Sequence, residues 1–310
     1  MRNSIHTVLT YFGSFEYAPS YEEIFTFFPK KINKKTLKIA LKNEEEKGKV
    51  VRIRTIMNRT MFGPLQRSPT TYNPQPTTSF YTLPQYSIPL AKSLKLKAES
   101  SREYIHINFQ IYLSILRVFP LVQFVGITGA SAMHGLRKND DIDLCIVTKK
   151  GSLWTTRFIV IILAKLLGIH GGMGVCLNLF FDESDLAIYK RKQNSYIAHE
   201  ILQMKTLVDK DKVFIGFLSE NIWIQKYFPN YIFVIPGQAG IQTLISIQKK
   251  AILDWIPASA GMTHIIEKFF KLIQLPIIKR NKTSLLITPT QLWLFKNDYE
   301  KKLKRKGLVL

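Results

Sequence analysis

Two apolar runs, LVQFVGI at 121–127 and IDLCIVT at 142–148, face each other across a short segment that begins Thr-Gly-Ala-Ser and ends Asn-Asp-Asp. Runs of this length and β-branched content predict buried strands, and the glycine between them predicts a sharp turn. A chain with this feature is committed to a sheet in its middle third. Three aspartates, Asp140, Asp141 and Asp143, gather at the mouth of the second strand, in a chain with 44 Lys and Arg against 22 Asp and Glu. Side chains alternate along a strand, so Asp141 and Asp143 share one face while Ile142 and Leu144 point to the other.

The remaining pattern places this strand pair inside an α/β arrangement. A helix is predicted over 153–167, a strand over 175–181, and helices around 196–204 and 214–227. Before the pair, 88–120 reads as one long amphipathic helix. The first 87 residues predict three short helices and a hairpin. Ser20-Tyr21-Glu22-Glu23 is a capping box for the second helix. The third follows Asn33, with Leu37, Ala40 and Leu41 inward, Lys34, Lys35, Lys38 and Lys42 outward, and Gly48 as its stop. VVRIRT and SFYTL are the hairpin strands, and GPLQRSPTTYNPQPTT between them is too rich in Pro and Thr to form a ladder.

The 310 residues suffice for two domains, and 46% apolar content supports a real core. The net charge of +22 implies a polyanionic partner such as nucleic acid. The joint abundance of Ile, Lys, Asn, Phe and Tyr fits an AT-rich genome equally well. Cys145 and Cys176 lie inside apolar runs without metal-ligand or disulfide spacing, so they read as reduced core residues of a cytoplasmic protein. No signal peptide is evident, and the longest apolar stretch, 158–169, is interrupted by Lys165 and too short to cross a bilayer.

Residues 235–263 break the style of the rest. IPGQAGIQ and IPASAGMT are two copies of one pattern, and they resemble the translated arms of a bacterial palindromic repeat inserted into a reading frame. The domain reading is therefore a winged-helix-like unit at 1–87, a central unit at 88–234, the insertion at 235–263, and a basic helical segment at 264–310.

At the glycine turn the chemistry becomes specific. Gly129 permits a sharp turn and close approach of a ligand to the backbone, and Ser131 with the N–H groups of a short following helix makes an anion site. Two carboxylates opposite such a turn suit a hard divalent cation that bridges a polyphosphate. Three aspartates merely solvating a turn would explain Asp140 but not the shared face of Asp141 and Asp143.

Strand, Gly-Ser turn, a spacer of about ten residues, then an Asp-apolar-Asp strand resembles the nucleotidyltransferase fold of the DNA polymerase β superfamily. Gly129, Ser131, Asp141 and Asp143 match that signature; Ala130 stands where the family places its serine. WTTR (154–157), VCLNLFF, NSYIAHEILQM and ENIWIQKYFPN further resemble a group of bacterial nucleotidyltransferase-like proteins with an N-terminal winged helix. The resemblance implies an α/β (α+β) fold: a small mixed sheet flanked by helices, with a winged helix before it and helices after it. It implies transfer of a nucleoside monophosphate from a nucleoside triphosphate to a hydroxyl of RNA, protein or a small molecule. Two Mg²⁺ ions would sit on Asp141 and Asp143, Gly129, Ser131 and Arg157 would bind nucleotide, and Lys149 or Lys150 would be further phosphate contacts. The third carboxylate of the family falls at Asn178, which cannot act as a base. Asp182 is the outside candidate, on the same face about 13 Å further along.

Two other readings compete. Thr-Gly-Ala-Ser also resembles the start of a short-chain dehydrogenase, but Met133 stands where that family needs glycine. The second is a catalytically degenerate nucleotidyltransferase-fold module that binds nucleic acid or protein through its winged helix; Ala130 and Asn178 favour it. His199-Glu200 is set aside as an acid–base pair because neighbours on a helix point apart, and His170 has no ligand at metal spacing. No membrane contact is expected.

Overall fold

A strand buried on both faces must lie inside its sheet with helices above and below, and the run at 122–127 is buried at every position. The computed structural model describes residues 2–56, 77–87, 107–134, 141–171, 174–231, 260–281, 284–295 and 299–309. In it, β3 (Val122–Ile127) pairs antiparallel with β4 (Ile142–Thr148) on one side and with β6 (Lys205–Asp209) on the other. Helix α6 (Leu153–Leu166) carries the chain from β4 to the parallel strand β5 (Val175–Asp182). Strands β7 (Ser284–Ile287) and β8 (Gln291–Phe295) complete a mixed sheet in the order β6-β3-β4-β5-β8-β7.

Parity along the strands divides the core. Ile142, Leu144 and Ile146 face a layer made by α4 (Ile107–Val118), α6 and α9 (Ala260–Asn281), where Tyr112, Leu116, Trp154 and Val160 are buried. Cys145, Val147, Leu179 and Phe181 face the opposite layer. That layer contains α7 (Ser195–Leu202), α8 (Val213–Glu220), α10 (Tyr299–Arg305) and three N-terminal helices, α1 (Arg2–Gly13), α2 (Tyr21–Thr26) and α3 (Lys34–Glu46).

The N-terminal elements form where capping and patterning place them. Ser20 Oγ accepts from Glu23 N at 3.3 Å while Glu23 Oε2 accepts from Ser20 N at 2.7 Å, which completes the capping box. Asn33 caps α3, Leu37 and Leu41 are buried, and Gly48 ends it at φ +66°. Strands β1 (Val51–Ile56) and β2 (Thr77–Thr82) pair antiparallel. Asn230 fastens this region to the rest: its amide donates to Phe28 O and Lys30 O and its carbonyl accepts from Ile32 N.

Several expectations need correction. The expected helical segment after 264 is partly strand, since β7 and β8 extend the sheet beside β5. The strand β6 at KTLVD is not among the expected elements, and it is a short edge whose mixed burial lacks a clean two-residue period. The expected helix over 214–227 divides into α8 and a 3₁₀ turn at Ile222–Lys226. Most of the repeat-like stretch lies outside the described residues, and 260–263 form the first turn of α9.

Helix α9 is fastened to α6 by polar contacts. Glu267 accepts from Trp154 N at 2.9 Å and Thr155 N at 2.7 Å, so one carboxylate satisfies the free amides of the α6 N-terminus. Gln274 Oε1 accepts from Arg157 Nη1 at 2.6 Å while its amide donates to Trp154 O and Phe270 O. Replacing Gln274 by Ala strips a buried guanidinium of this acceptor. The variant is expected to lose about 2–3 kcal/mol of stability in urea unfolding, and a loss below about 0.5 kcal/mol would contradict this role.

Candidate active site at the Gly129 turn

The segment after β3 enters helix α5 (Gly129–His134) through Gly129, at φ +63°. A side chain here would be strained by conformation alone, and an added Cβ would lie 2.8 Å from Asp143 Oδ2. The turn is bound to the neighbouring strand twice. Thr128 N donates to Asp143 O at 2.9 Å, and Ser131 Oγ donates to Asp141 O at 2.7 Å. Ser131 is buried, so its hydroxyl acts here as a tie between turn and β4. That differs from the phosphate contact expected of it.

Asp143 projects from the same side of β4 as Cys145 and Val147 and is half-buried. Its Oδ1 accepts from Asn178 Nδ2 at 3.2 Å, and the same amide lies 3.0 Å from Cys176 Sγ. Asn178 reaches Asp143 because β5 carries a bulge. Leu144 pairs with Leu177 and Cys145 with Leu179, which leaves Asn178 as the extra residue. The bulge reverses the parity of everything after it. Asp182 therefore does not share the face of Asn178, as expected from simple alternation. Its carboxylate accepts from Gly151 N at 2.6 Å and Ser184 N at 2.9 Å and braces the loops at the far end of β5.

The carboxylate that does reach the turn comes from α7. Glu200 Oε2 accepts from Gly129 N at 3.0 Å, and Glu200 Oε1 accepts from Gln203 Nε2 at 2.9 Å. Burial, and then the nearby Asp143 charge, push its pKa up to about 7 against the two hydrogen bonds that stabilise the anion. A cavity of about 30 Å³ lies beside it, lined by Thr128, Leu179, Tyr196, Glu200 and Met204 among others, with room for water only. Burial and the charges of Glu200, Asp143 and Glu300 hold the Tyr196 hydroxyl well above its ordinary pKa. Sequence reading weighed Glu200 only as a partner of His199 and set it aside, although a signal for the sheet-facing role was present. It sits three residues after Ile197 and four after Tyr196, an acid on the apolar stripe of an amphipathic helix.

His199 points the other way. Its ring stacks on Tyr11 at 3.9 Å and on Phe27 at 4.1 Å, and burial lowers its pKa well below the ordinary value. It is a core residue, and through it α7 carries the N-terminal helices. Arg157 is a second correction: it lies on the opposite face of the sheet, over the Phe180 ring and bonded to Gln274, so it cannot meet a phosphate at Gly129. Burial lowers its pKa to about 10.

Among the described residues, no group of three or more His, Cys, Asp or Glu side chains is arranged to hold a metal ion. The donor present at the turn is the Asp143 carboxylate, with glycine keeping the space over it open, and Asp141 stands two residues before it in the chain. Mg²⁺ is commonly held by one or two carboxylates together with substrate phosphates, so a carboxylate here is of the donor type that ion takes. No helix among the described residues is long and apolar enough to cross a membrane.

Neither a protein-family model nor a curated protein matches the chain. A solved structure that matches is a mutant of the toxin–antitoxin pair MntA-HpeT, 15% identical over 49% of this chain and 97% of the other, with a TM-score of 0.24. A likeness of that degree carries no functional conclusion, and the site is read from its own geometry.

Gly129→Ala combines a left-handed backbone with displacement of Asp143, and is expected to cost about 1–2 kcal/mol in chemical denaturation; full retention of stability would contradict the turn geometry. Glu200 gives a pH signature. A carboxyl with a raised pKa contributes stability below about pH 4.5 that is lost as pH rises through about 7. Because Glu200 is partly solvent-accessible, the effect is on the order of 1–2 kcal/mol. Glu200→Gln should flatten that window in thermal melts from pH 4.5 to 8. Buried His199 acts in the opposite sense in both proteins, so the difference between the two curves isolates Glu200; parallel curves would refute the assignment.

Proposed function

We propose that the chain is a Mg²⁺-dependent nucleotidyltransferase, moving a nucleoside monophosphate from a nucleoside triphosphate to a hydroxyl acceptor and releasing pyrophosphate. The observation that carries this reading is the positive-φ glycine set directly against the carboxylate of the Asp-Ile-Asp strand. Asp141 and Asp143 would hold the ion, which neutralises charge on the triphosphate when bound. Asn178 orients Asp143 by donating to Oδ1, which leaves Oδ2 toward the turn.

Glu200 supplies what Asn178 lacks. In the transfer, the acceptor oxygen bonds to the α-phosphorus, the bond to the β-phosphate oxygen breaks, and the hydroxyl proton must leave. A carboxylate held near Asp143 with a pKa of about 7 is matched to take that proton at neutral pH. The Gly129 N–H then serves to aim Glu200, and phosphate contacts fall to other donors.

A second reading, the degenerate module, is favoured by one observation. Both donors expected to meet phosphate, Gly129 N and Ser131 Oγ, are already satisfied within the protein. Such a protein would bind nucleic acid or protein, with α3 of the winged-helix-like region as the contact.

Transfer of label from each α-labelled nucleoside triphosphate to total cellular RNA and protein, with Mg²⁺, separates the two. Asp143→Asn is expected to lower transfer about 10³-fold. Glu200→Gln should lower kcat about 10²–10⁴-fold, leave KM for the nucleotide nearly unchanged, and remove the acid limb of the pH–rate profile near pH 7. Transfer that survives Asp143→Asn unchanged would sink the assignment, and absence of transfer with every nucleotide favours the module.

A further inference from the structure

The surplus positive charge has a specific address beside the candidate site. Lys190, Arg191 and Lys192 form a 3₁₀ turn just before α7, and α10 presents Lys301, Lys302, Lys304 and Arg305, followed by Lys306. One carboxylate joins the two segments. Glu300 accepts from Lys192 Nζ at 3.1 Å, from Asn194 Nδ2 at 3.0 Å and from Lys304 Nζ at 2.6 Å. Leu303 is buried in the core, so α10 is docked by its apolar side while Lys302, Lys304, Arg305 and Lys306 remain exposed. An isolated run of lysines is ordinarily a solvated face. Here two runs distant in sequence are pinned into one ridge, with a single acid between them that is itself largely buried.

Two further observations give the ridge a direction and a ligand class. Asn194, bound to Glu300, is the N-cap of α7, and Glu200 lies six residues along that helix, about 9 Å away by helical rise. Tyr196 lies between them and feels Glu200, Asp143 and Glu300 together. At the head of α10, Tyr299 is 48% exposed, with Lys302 Nζ 5.7 Å from its ring centroid. An exposed aromatic ring set among cations is the surface that single-stranded nucleic acid uses, with bases stacked on the ring and phosphates met by the charges.

We infer that the 190–192 turn and α10 form a docking ridge for single-stranded polynucleotide, leading its end toward the Gly129 turn. The strand's role as the hydroxyl acceptor rests on the transferase reading above; its binding to the ridge does not.

Polarisation of a fluorescent 12-nucleotide single-stranded RNA with the full chain, from 50 to 300 mM salt, tests this. Neutralising Lys190, Arg191, Lys302 and Arg305 to Gln should weaken binding at least tenfold at 100 mM salt. It should also reduce the slope of log affinity against log salt by about 2.8, at roughly 0.7 per phosphate contact. Tyr299→Ala, which removes no charge, should weaken binding about tenfold with the slope unchanged. Lys35→Gln with Lys38→Gln and Lys42→Gln on α3 should change it less than threefold. Asp143→Asn should leave binding as it was, so failure of the transferase reading and failure of the ridge register separately. Unchanged affinity and slope in the quadruple variant, with an unaltered melting temperature, would overturn the ridge. Loss of binding in the α3 variant instead, or retention of the chain by anionic phosphatidylserine vesicles with no RNA binding, would do the same.

Discussion

The hydrogen bond from Gly129 N to Glu200 joins parts of the chain 71 residues apart. One partner belongs to the turn between the two central strands. The other belongs to a helix that carries the N-terminal helices on its opposite side, through the His199 ring held between Tyr11 and Phe27. Adjacent residues on α7 therefore serve two layers: Glu200 fixes the helix to the sheet, and His199 fixes the first forty residues to the helix. Moving α7 by even a fraction of a turn would strand a carboxylate in an apolar cleft and open the aromatic stack together, so the arrangement is expected to be all-or-none.

That arrangement explains an expensive feature. Asp143 and Glu200 both converge on a glycine, and the Asp143 charge raises the free energy of ionising Glu200. A protein concerned only with stability would place an apolar residue at 200, on a helix stripe that already contains Ile197, Ala198 and Ile201. The electrostatic cost persists because Glu200 satisfies the backbone donor that a positive-φ glycine turns inward, and a buried unsatisfied amide costs about as much as the strained carboxyl.

Much of this was legible from residue pattern. Continuous apolar runs marked β3, β4 and β5, and the capping box marked α2. What escaped did so for physical reasons. The bulge at Asn178 is a register event between two strands and leaves no local trace, yet it moves Asp182 to the opposite face. Glu200 lies 71 residues from Gly129, and only tertiary packing brings them together. Arg157 reads as a nucleotide contact because its actual partner, Gln274, lies 117 residues downstream. Strands β7 and β8 follow a long helix in a segment whose lysines disguise their short apolar runs, LLI and LWLF.

The balance of charge carries the last step. A chain of net charge +22 that concentrates carboxylates at one turn creates a local reversal of field. Over distances beyond about 8–10 Å at physiological salt, screening leaves each patch to act on what touches it. A phosphate chain approaching such a surface is drawn to the cations and repelled at the carboxylates unless a divalent ion intervenes. Asn194, bound to Glu300 beside the Lys190–Lys192 turn, precedes Glu200 by six residues, about 9 Å of helical rise and close to that screening length. At that separation screening weakens the coupling of the two fields without removing it. On the proposed ridge, cations would hold a polyanion while neutralising Asp143 and Glu200 only in part.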